Sequence, residues 1–600
     1  MQVHARKSGD GLVAGVIIVL ALVLQGCATI SHRPDFTQVQ GYGDVIQFLD
    51  GHIKKTMTRN GIIALSIALV DGREIVWARG FGYADLENRI PATKNTIYRI
   101  GSISKLFTAT AVMQLAQAEV IDIDVPFDTY VPEFSIRSRF ENSSAITPRN
   151  IMTHHSGLPS DCISGMLRRN PETMDQFIPR LKDEYTSFPP GLIFSYSNLG
   201  MGLMGHMVEK VSETRFEDYM RVSVLGPIGM HHSSFVLESD LEGLYAKGYY
   251  QEKEQEQFLL RDMAAGSMYS SVVDLSRFLQ MVFADGMAGE NRILERETLS
   301  EMLSVQNKGI PLDIDLQVGL NWMIAEKKGM GTVIGHNGGI TTFFSTMAAV
   351  PEERLGVIVL TNCAEGSIAI AEICELALDA LFEAKTGRAV PAPAKPEDKI
   401  VLASDELERC QGYYDTQLGF MTIAPKGERL LARIRDGSFV FTPRKDGTFT
   451  VKYLLWGFIP VEIPVFEDMA VAFRDIGGNR VLTVVKDGLH GFMGVRIDPV
   501  AIPSAWRDRL GRFENIGNEE EGISIKAVEL YLDYGFLLAD VTLVTLEENV
   551  FTVALQGIND SEAVVMALGR NRGNTFTVTG NPEDPVLHAY GCDFKPAKRL

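Results

Sequence analysis

From Tyr42 to about Lys385, apolar runs of strand length are interleaved with stretches of helical spacing. The run Ile62 to Val70, followed by Glu74 to Trp77, predicts two strands around a turn at Asp71-Gly72. Between Ser102 and Glu119, Leu106, Phe107 and Met113 recur with small residues between them, which predicts a largely buried helix. Ser345 to Val350 and Gly356 to Leu360 flank Pro351-Glu352-Glu353-Arg354 as strand, turn and strand, and Ile368 to Phe382 predicts a closing helix. First strands and last helix meeting on one antiparallel sheet predict an α+β domain over residues 43–385, its sheet flanked by helices.

The pattern changes after Val390-Pro391-Ala392-Pro393-Ala394-Lys395-Pro396, a semi-rigid linker within 386–400. Beyond it come short alternating runs at Phe439–Thr442, Thr448–Tyr453, Val541–Leu546, Val550–Leu555 and Thr575–Thr579, several separated by Asp-Gly turns. The segment Cys410-Gln411-Gly412-Tyr413-Tyr414-Asp415 recurs weakly as Arg509-Leu510-Gly511-Arg512-Phe513-Glu514. This all-β region is expected to form two small antiparallel barrels, 401–498 and 499–600, with one larger β domain as the alternative.

A chain of 600 residues exceeds a single hydrophobic core, and 46% apolar with 22% charged residues is ordinary for globular domains. The net charge of -19 and the lack of Lys/Arg clusters exclude a nucleic-acid partner. At the amino terminus, His4, Arg6 and Lys7 precede an apolar run from Leu12 to Leu24, shorter than the ~20 residues of a membrane span. The ending Leu24-Gln25-Gly26-Cys27 resembles a bacterial lipobox. Residues 1–27 are therefore expected to be a signal peptide, with Cys27 lipidated and 28–42 a tether to the membrane. The other cysteines, Cys162, Cys363, Cys374, Cys410 and Cys592, are scattered and odd in number, so their expected place is the apolar interior. No spacing suggests a metal or cofactor.

Three segments carry candidate chemistry. Ile100-Gly101-Ser102-Ile103-Ser104-Lys105 holds the one S-x-x-K of the chain, a pattern that chance supplies roughly twice in this length. A Ser opening a buried helix sits at its positive end, and Lys105 at i+3 lies one turn away on the same face, where an amine can activate the hydroxyl. Phe194-Ser195-Tyr196-Ser197-Asn198 offers a phenol for proton relay and an amide for a substrate carbonyl or the Lys105 ammonium. Gly335-His336-Asn337-Gly338-Gly339 precedes a strand expected near Thr341, and its glycines allow close backbone approach. Taken singly, these are also a capping Ser, a core Tyr and a Gly-rich turn.

The order S-x-x-K, Y-x-N, H-x-G resembles the serine β-lactamase and penicillin-binding superfamily, specifically its class C branch, over roughly residues 43–383. Further likeness lies in Ile146-Thr147-Pro148-Arg149-Asn150-Ile151-Met152-Thr153-His154-His155-Ser156-Gly157-Leu158-Pro159, in Leu225-Gly226-Pro227-Ile228-Gly229-Met230 and in Ala264-Ala265-Gly266-Ser267-Met268-Tyr269-Ser270-Ser271. The resemblance implies Ser102 as nucleophile, Lys105 and Tyr196 as general base and acid, Asn198 as a substrate-positioning group, and an oxyanion hole from Ser102 and Gly339, with His336 and Gly338 lining the substrate. It also implies structural duty for His154 and His155.

His336 stands where the β-lactamases proper keep a Lys, whose permanent cation suits a substrate carboxylate. That departure points away from antibiotic hydrolysis. The expected activity is acyl transfer at the cell envelope on a D-amino-acid peptide, as in a carboxypeptidase, or on an ester. A β-lactamase is the alternative, and a non-catalytic penicillin-binding or envelope-binding lipoprotein is the alternative of another class. The expected partners are an acyl substrate and, through Cys27, a membrane; no cofactor is implied, and the oligomeric state is left open.

Overall fold

A computed structural model describes residues 34–392, 398–435, 437–461, 469–502, 504–517, 522–546, 548–557, 563–566, 575–581 and 584–597. The expected signal peptide with Cys27, the first part of the expected tether and Pro393–Pro396 of the linker lie outside the described residues.

The first unit is an antiparallel sheet between two helical layers. Its elements include α1 (Gly43–Asn60), β1 (Ala64–Asp71), β2 (Glu74–Asp85), α2 (Ser104–Gln117), α3 (Asn198–Ser212), α4 (Val272–Phe283), β3 (Met323–Lys327), β4 (Gly331–Ile340), β5 (Phe343–Val350), β6 (Leu355–Thr361) and α5 (Ala369–Thr386). The strand order is β3-β4-β5-β6-β1-β2, extended at the edges by Gln317–Val318 and Ile90–Pro91 into eight strands. β1 is apolar without alternation because both its faces are covered. Leu65, Ile67 and Leu69 point into a core shared with Val45 and Leu49 of α1 and Ile373 and Ala377 of α5. Ala68 and Val70 point into the opposite core with Phe107 of α2 and Phe278 of α4. Thus one strand with a two-residue period feeds two cores. α5 ends where Gly387, at φ 67, returns its N–H to the Glu383 carbonyl.

The linker departs from a free spacer at its start. Val390 is buried, and its N–H donates to Glu383 Oε1 at 2.9 Å, so the chain is held against the first unit for several residues before it leaves.

Two β units follow. Nine strands between Gly412 and Ile497 form one sheet, and the pairing of Gly437–Pro443 with Phe449–Leu455 brings it round on itself. Its seam from Phe449–Leu455 to Ala470–Ile476 is thin, with the pairs Phe449↔Val471 and Thr450↔Ala470. The second unit is a closed barrel of eight strands, from Gly511–Asn515 to Cys592–Pro596. The weak repeat has a structural meaning. In each copy a short helix, Ser404–Arg409 or Ser504–Arg507, leads to a glycine that opens the first strand, and Tyr414 or Phe513 turns into the core.

Both β units dock on the sheet-and-helix unit. In the first, Val481 and Phe492 pack with Ile193, Phe188, Leu312 and Ile314, and the His490 N–H donates to Asp315 Oδ2 at 2.8 Å. The closed barrel takes Ile163 into its own core, and the Ile163 N–H donates to the Tyr590 carbonyl at 2.9 Å. Beside them, His588 lies 2.8 Å from both Asp593 and Glu184. Burial works against the imidazolium, but its hydrogen bonds to Asp593 and Glu184 raise its pKa to about 10, so a charged clamp joins the barrel to the sheet-and-helix unit at neutral pH. Cys162, Cys363, Cys374, Cys410 and Cys592 are all buried free thiols, as expected from their scatter.

Candidate functional site

Ser102 is not the first residue of α2. Gly101–Ile103 form a 3-10 turn ahead of the helix, and Lys105 lies in the first turn of α2 itself. The i to i+3 relation survives because the two helical segments are continuous. Within the buried run from Gly101 to Thr110, Ser102 alone is partly exposed, so its hydroxyl faces the cleft while its neighbours form core.

Lys105 is fully buried and its Nζ is held by named acceptors: Asn198 Oδ1 at 2.7 Å, the Ala265 carbonyl at 2.6 Å and Ser102 Oγ at 3.1 Å. The amide oxygen and the carbonyl accept only, so they take N–H hydrogens in either protonation state of the amine. Ser102 Oγ also carries a proton. The Lys105 position facing it therefore changes from lone pair to N–H when that proton moves. This is the geometry of a base poised on a nucleophile. The ring of Tyr196 lies over the same ammonium, its centroid 4.9 Å from Nζ.

Asn198 opens α3, whose Ser197 cap accepts the Gly200 N–H at 2.9 Å. Its other amide atom, Nδ2, donates to Asp161 Oδ1 at 2.8 Å. His154 packs on Tyr196 with ring centroids 4.2 Å apart, and its Nδ1 accepts the Ser197 N–H at 3.2 Å. Burial first, then the neighbouring Lys105, His336 and His155, push its pKa well down, so His154 is a neutral prop for the phenol. His155 and Asp313 form a buried pair at 2.7 Å, and Asp313 also accepts the Phe194 N–H at 2.7 Å, which ties the two loops together. Both histidines thus have structural positions, yet one of them touches the site.

The Gly-rich motif lies inside β4, and Thr341, at φ 51, sits in the turn after it. A strand does begin close to Thr341 as expected, β5 at Phe343, and the motif itself already lies in the strand before it. Glycines read as turn formers, but here they remove side chains at a close crossing. A Cβ on Gly338 would meet the Ile100 carbonyl oxygen at 2.0 Å, and one on Gly101 would meet the Gly339 nitrogen at 2.6 Å. Gly101 also holds φ 51. β3 pairs with β4 from Gly331 to Gly335 and ends there, so the cleft-side edge from His336 onward has no strand partner among the described residues. That edge, beside Ser102, can take an extended substrate backbone.

His336 is buried, with Nδ1 2.6 Å from the Asn337 carbonyl oxygen, which places the proton on Nδ1. Burial first and Lys105 second lower its pKa to about 4, partly opposed by that hydrogen bond. It is neutral at pH 7. Because the folded value lies below the ordinary ~6.5, this contribution to stability is complete above pH 6.5 and is lost as the pH falls towards 4. Denaturant unfolding at pH 7 and pH 4 should show wild type losing about 3 kcal/mol more than His336→Asn over that interval; equal losses would refute it.

Asp161, the Ala265 carbonyl and Arg261, whose guanidinium donates to the Cys162 and Ser164 carbonyls just after Asp161, are the groups that sequence reading missed. Asp161 directly follows the Ser156–Ser160 stretch and carried a weak signal by position alone; a backbone carbonyl carries none. Away from the cleft, Glu133, Asp175 and His206 offer ligand atoms within 4.8 Å of one another, but Lys210 Nζ already stands 2.9 Å from Glu133. An ammonium there supplies the positive charge that a metal would bring.

A family model described as Beta-lactamase matches residues 49–372. Penicillin-binding protein 4* of Bacillus subtilis is 24% identical over 436 residues, covering 68% of this chain and 91% of its own. Beta-lactamase-like protein 2 of Dictyostelium discoideum is 31% identical over 286 residues, 46% of this chain and 50% of its own. Among solved structures, the octameric penicillin-binding protein homologue from Pyrococcus abyssi aligns with TM-score 0.50 and 24% identity, over 75% of this chain and all of that one, a likeness of fold. With over half its length matched by the family model, the chain belongs to the beta-lactamase family, the serine hydrolases related to penicillin-binding proteins.

Proposed function

We propose that the protein hydrolyses an acyl substrate through an acyl-Ser102 intermediate, and that the substrate is a D-amino-acid peptide or an ester at the cell envelope. The contact of Lys105 Nζ with Ser102 Oγ at 3.1 Å carries the reading, because two acceptor-only groups hold the amine on the hydroxyl. Ser102 Oγ attacks the carbonyl carbon as its proton passes to Lys105. The backbone N–H groups of Ser102 and Gly339 are the proposed donors to the resulting oxyanion. Tyr196 then delivers a proton to the leaving amine or alkoxide as the C–N or C–O bond breaks. Water attacks the Ser102 ester in the second half, with the proton path reversed, and the acid and free Ser102 are regenerated.

Neutral His336 offers no cation for a substrate carboxylate, which supports an ester, or a peptide held by its backbone, over a β-lactam. The unpartnered edge of β4 suits a peptide. The Leu12–Leu24 run and Cys27 support a lipid-anchored place in the envelope. A chain lacking residues 1–27 would be assayed with a p-nitrophenyl ester, a peptide ending in D-Ala-D-Ala and a chromogenic cephalosporin. Turnover of the ester or peptide above that of Ser102→Ala is the expected result. Sustained cephalosporin turnover exceeding both would replace the substrate reading, and no turnover or covalent adduct with any of the three would overturn the reaction itself.

A further inference from the structure

An asparagine amide can turn about its last bond, exchanging oxygen and nitrogen at no steric cost. At Asn198 the exchange matters. An NH2 facing Lys105 would set donor against donor and draw the amine lone pair away from Ser102. Asp161 opposes it from the other side. Its carboxylate accepts Asn198 Nδ2–H at Oδ1, 2.8 Å, and Ser160 Oγ–H at Oδ2, 3.0 Å, and an acceptor-only group can face only the amide nitrogen. Asp161 is buried, so solvent offers the amide little alternative.

The loop carrying Asp161 is gripped from two directions. Arg261 Nη2 and Nη1 donate to the carbonyls of Cys162 at 2.8 Å and Ser164 at 2.9 Å. From the closed barrel, the Tyr590 carbonyl accepts the Ile163 N–H, and the Ile163 side chain belongs to the barrel core with Trp506 and Tyr590. Two residues after Asp161, the catalytic unit is thus built into another domain.

We propose that Asp161 is the positioning residue of the acylation step, locking the Asn198 amide with its oxygen on Lys105, and that the carboxy-terminal barrel keeps Asp161 in place through Ile163. The inference rests on the acyl-Ser102 reading and deepens it. The barrel is then a working part of the site, coupled to it through an Asp161–Asn198–Lys105 chain.

The test follows acylation by a p-nitrophenyl ester in the full chain lacking residues 1–27, across pH, for wild type, Asp161→Asn, Asp161→Glu, Ile163→Ala and Ser102→Ala. Asp161→Asn is isosteric and can face the amide with either atom, so the acylation rate should fall by about 10- to 100-fold. Removing a negative neighbour also lowers the pKa of the Lys105 ammonium, so the ascending limb of the kcat/KM profile should move to lower pH by at least ~0.5 unit. Asp161→Glu keeps an acceptor-only group and should hold that limb in place. Ile163→Ala touches nothing at the site and should slow acylation at least ~3-fold with the limb unmoved.

An Asp161→Asn profile with the wild-type limb, or a wild-type acylation rate, overturns the proposal. An unchanged rate in Ile163→Ala removes the barrel from it. If Ser102→Ala retains full activity, the acyl-Ser102 reading itself fails; if Ser102→Ala is inactive while Asp161→Asn matches wild type in rate and limb, the inference fails alone.

Discussion

Ser102→Ala should lower ester or peptide turnover by at least about 10^3-fold while leaving the fold intact. The change removes one oxygen from a partly exposed residue, and Lys105 keeps Asn198 Oδ1 and the Ala265 carbonyl as partners. Unfolding free energy should therefore stay within about 1 kcal/mol of wild type, as is usual for a change that leaves no buried polar group stranded. Mass spectrometry after an acylating substrate should find the adduct in wild type and none in the variant. A variant that is inactive because it is unfolded would show in denaturation; a folded variant that still turns over would place the nucleophile elsewhere.

Arg261→Met should cost the largest loss of stability, about 3–5 kcal/mol. Arg261 and Asp262 have fully buried side chains joined at 2.8 Å, and the guanidinium stands 3.6 Å from the Phe177 ring centroid. Methionine keeps much of the volume but leaves the Asp262 carboxylate without its counter-charge, and the Cys162 and Ser164 carbonyls lose their donors. Adding Asp262→Asn should return part of the loss, because a neutral amide is cheaper to bury than a lone carboxylate. Urea unfolding of the two variants checks both statements. A loss below about 1 kcal/mol would mean that Asp262 finds other partners when Arg261 is gone.

The legibility of this chain divides by the range of the forces involved. The β1–β2 turn at Asp71-Gly72, the strand pair around Pro351 and α5 were readable because each follows from local periodicity and turn chemistry. The readable part of the site was the trio of motifs, since helical spacing places Lys105 on the same face as Ser102, although Asn198 and the Ala265 carbonyl then hold its amine there. Local rules left matters open where tertiary packing decides. Gly335–Gly339 taken alone is also a turn, yet pairing with β5 holds it extended, and its glycines serve the crossing of β4 over Ile100–Gly101. The Pro/Ala linker read as semi-rigid, and its composition did not show that Glu383 captures Val390.

By itself the sequence determined which groups can do chemistry here: a hydroxyl with an amine one turn on, a phenol, an amide, and a histidine in place of a permanent cation. Those are properties of side chains and of spacings within one helix or loop. Only the tertiary structure decided which atom of Asn198 faces Lys105, that His336 is neutral, and that the far barrel holds the loop of Asp161. Hydrogen-bond direction, desolvation and docking depend on atoms tens to hundreds of residues apart in the chain, and no local pattern encodes where those will meet.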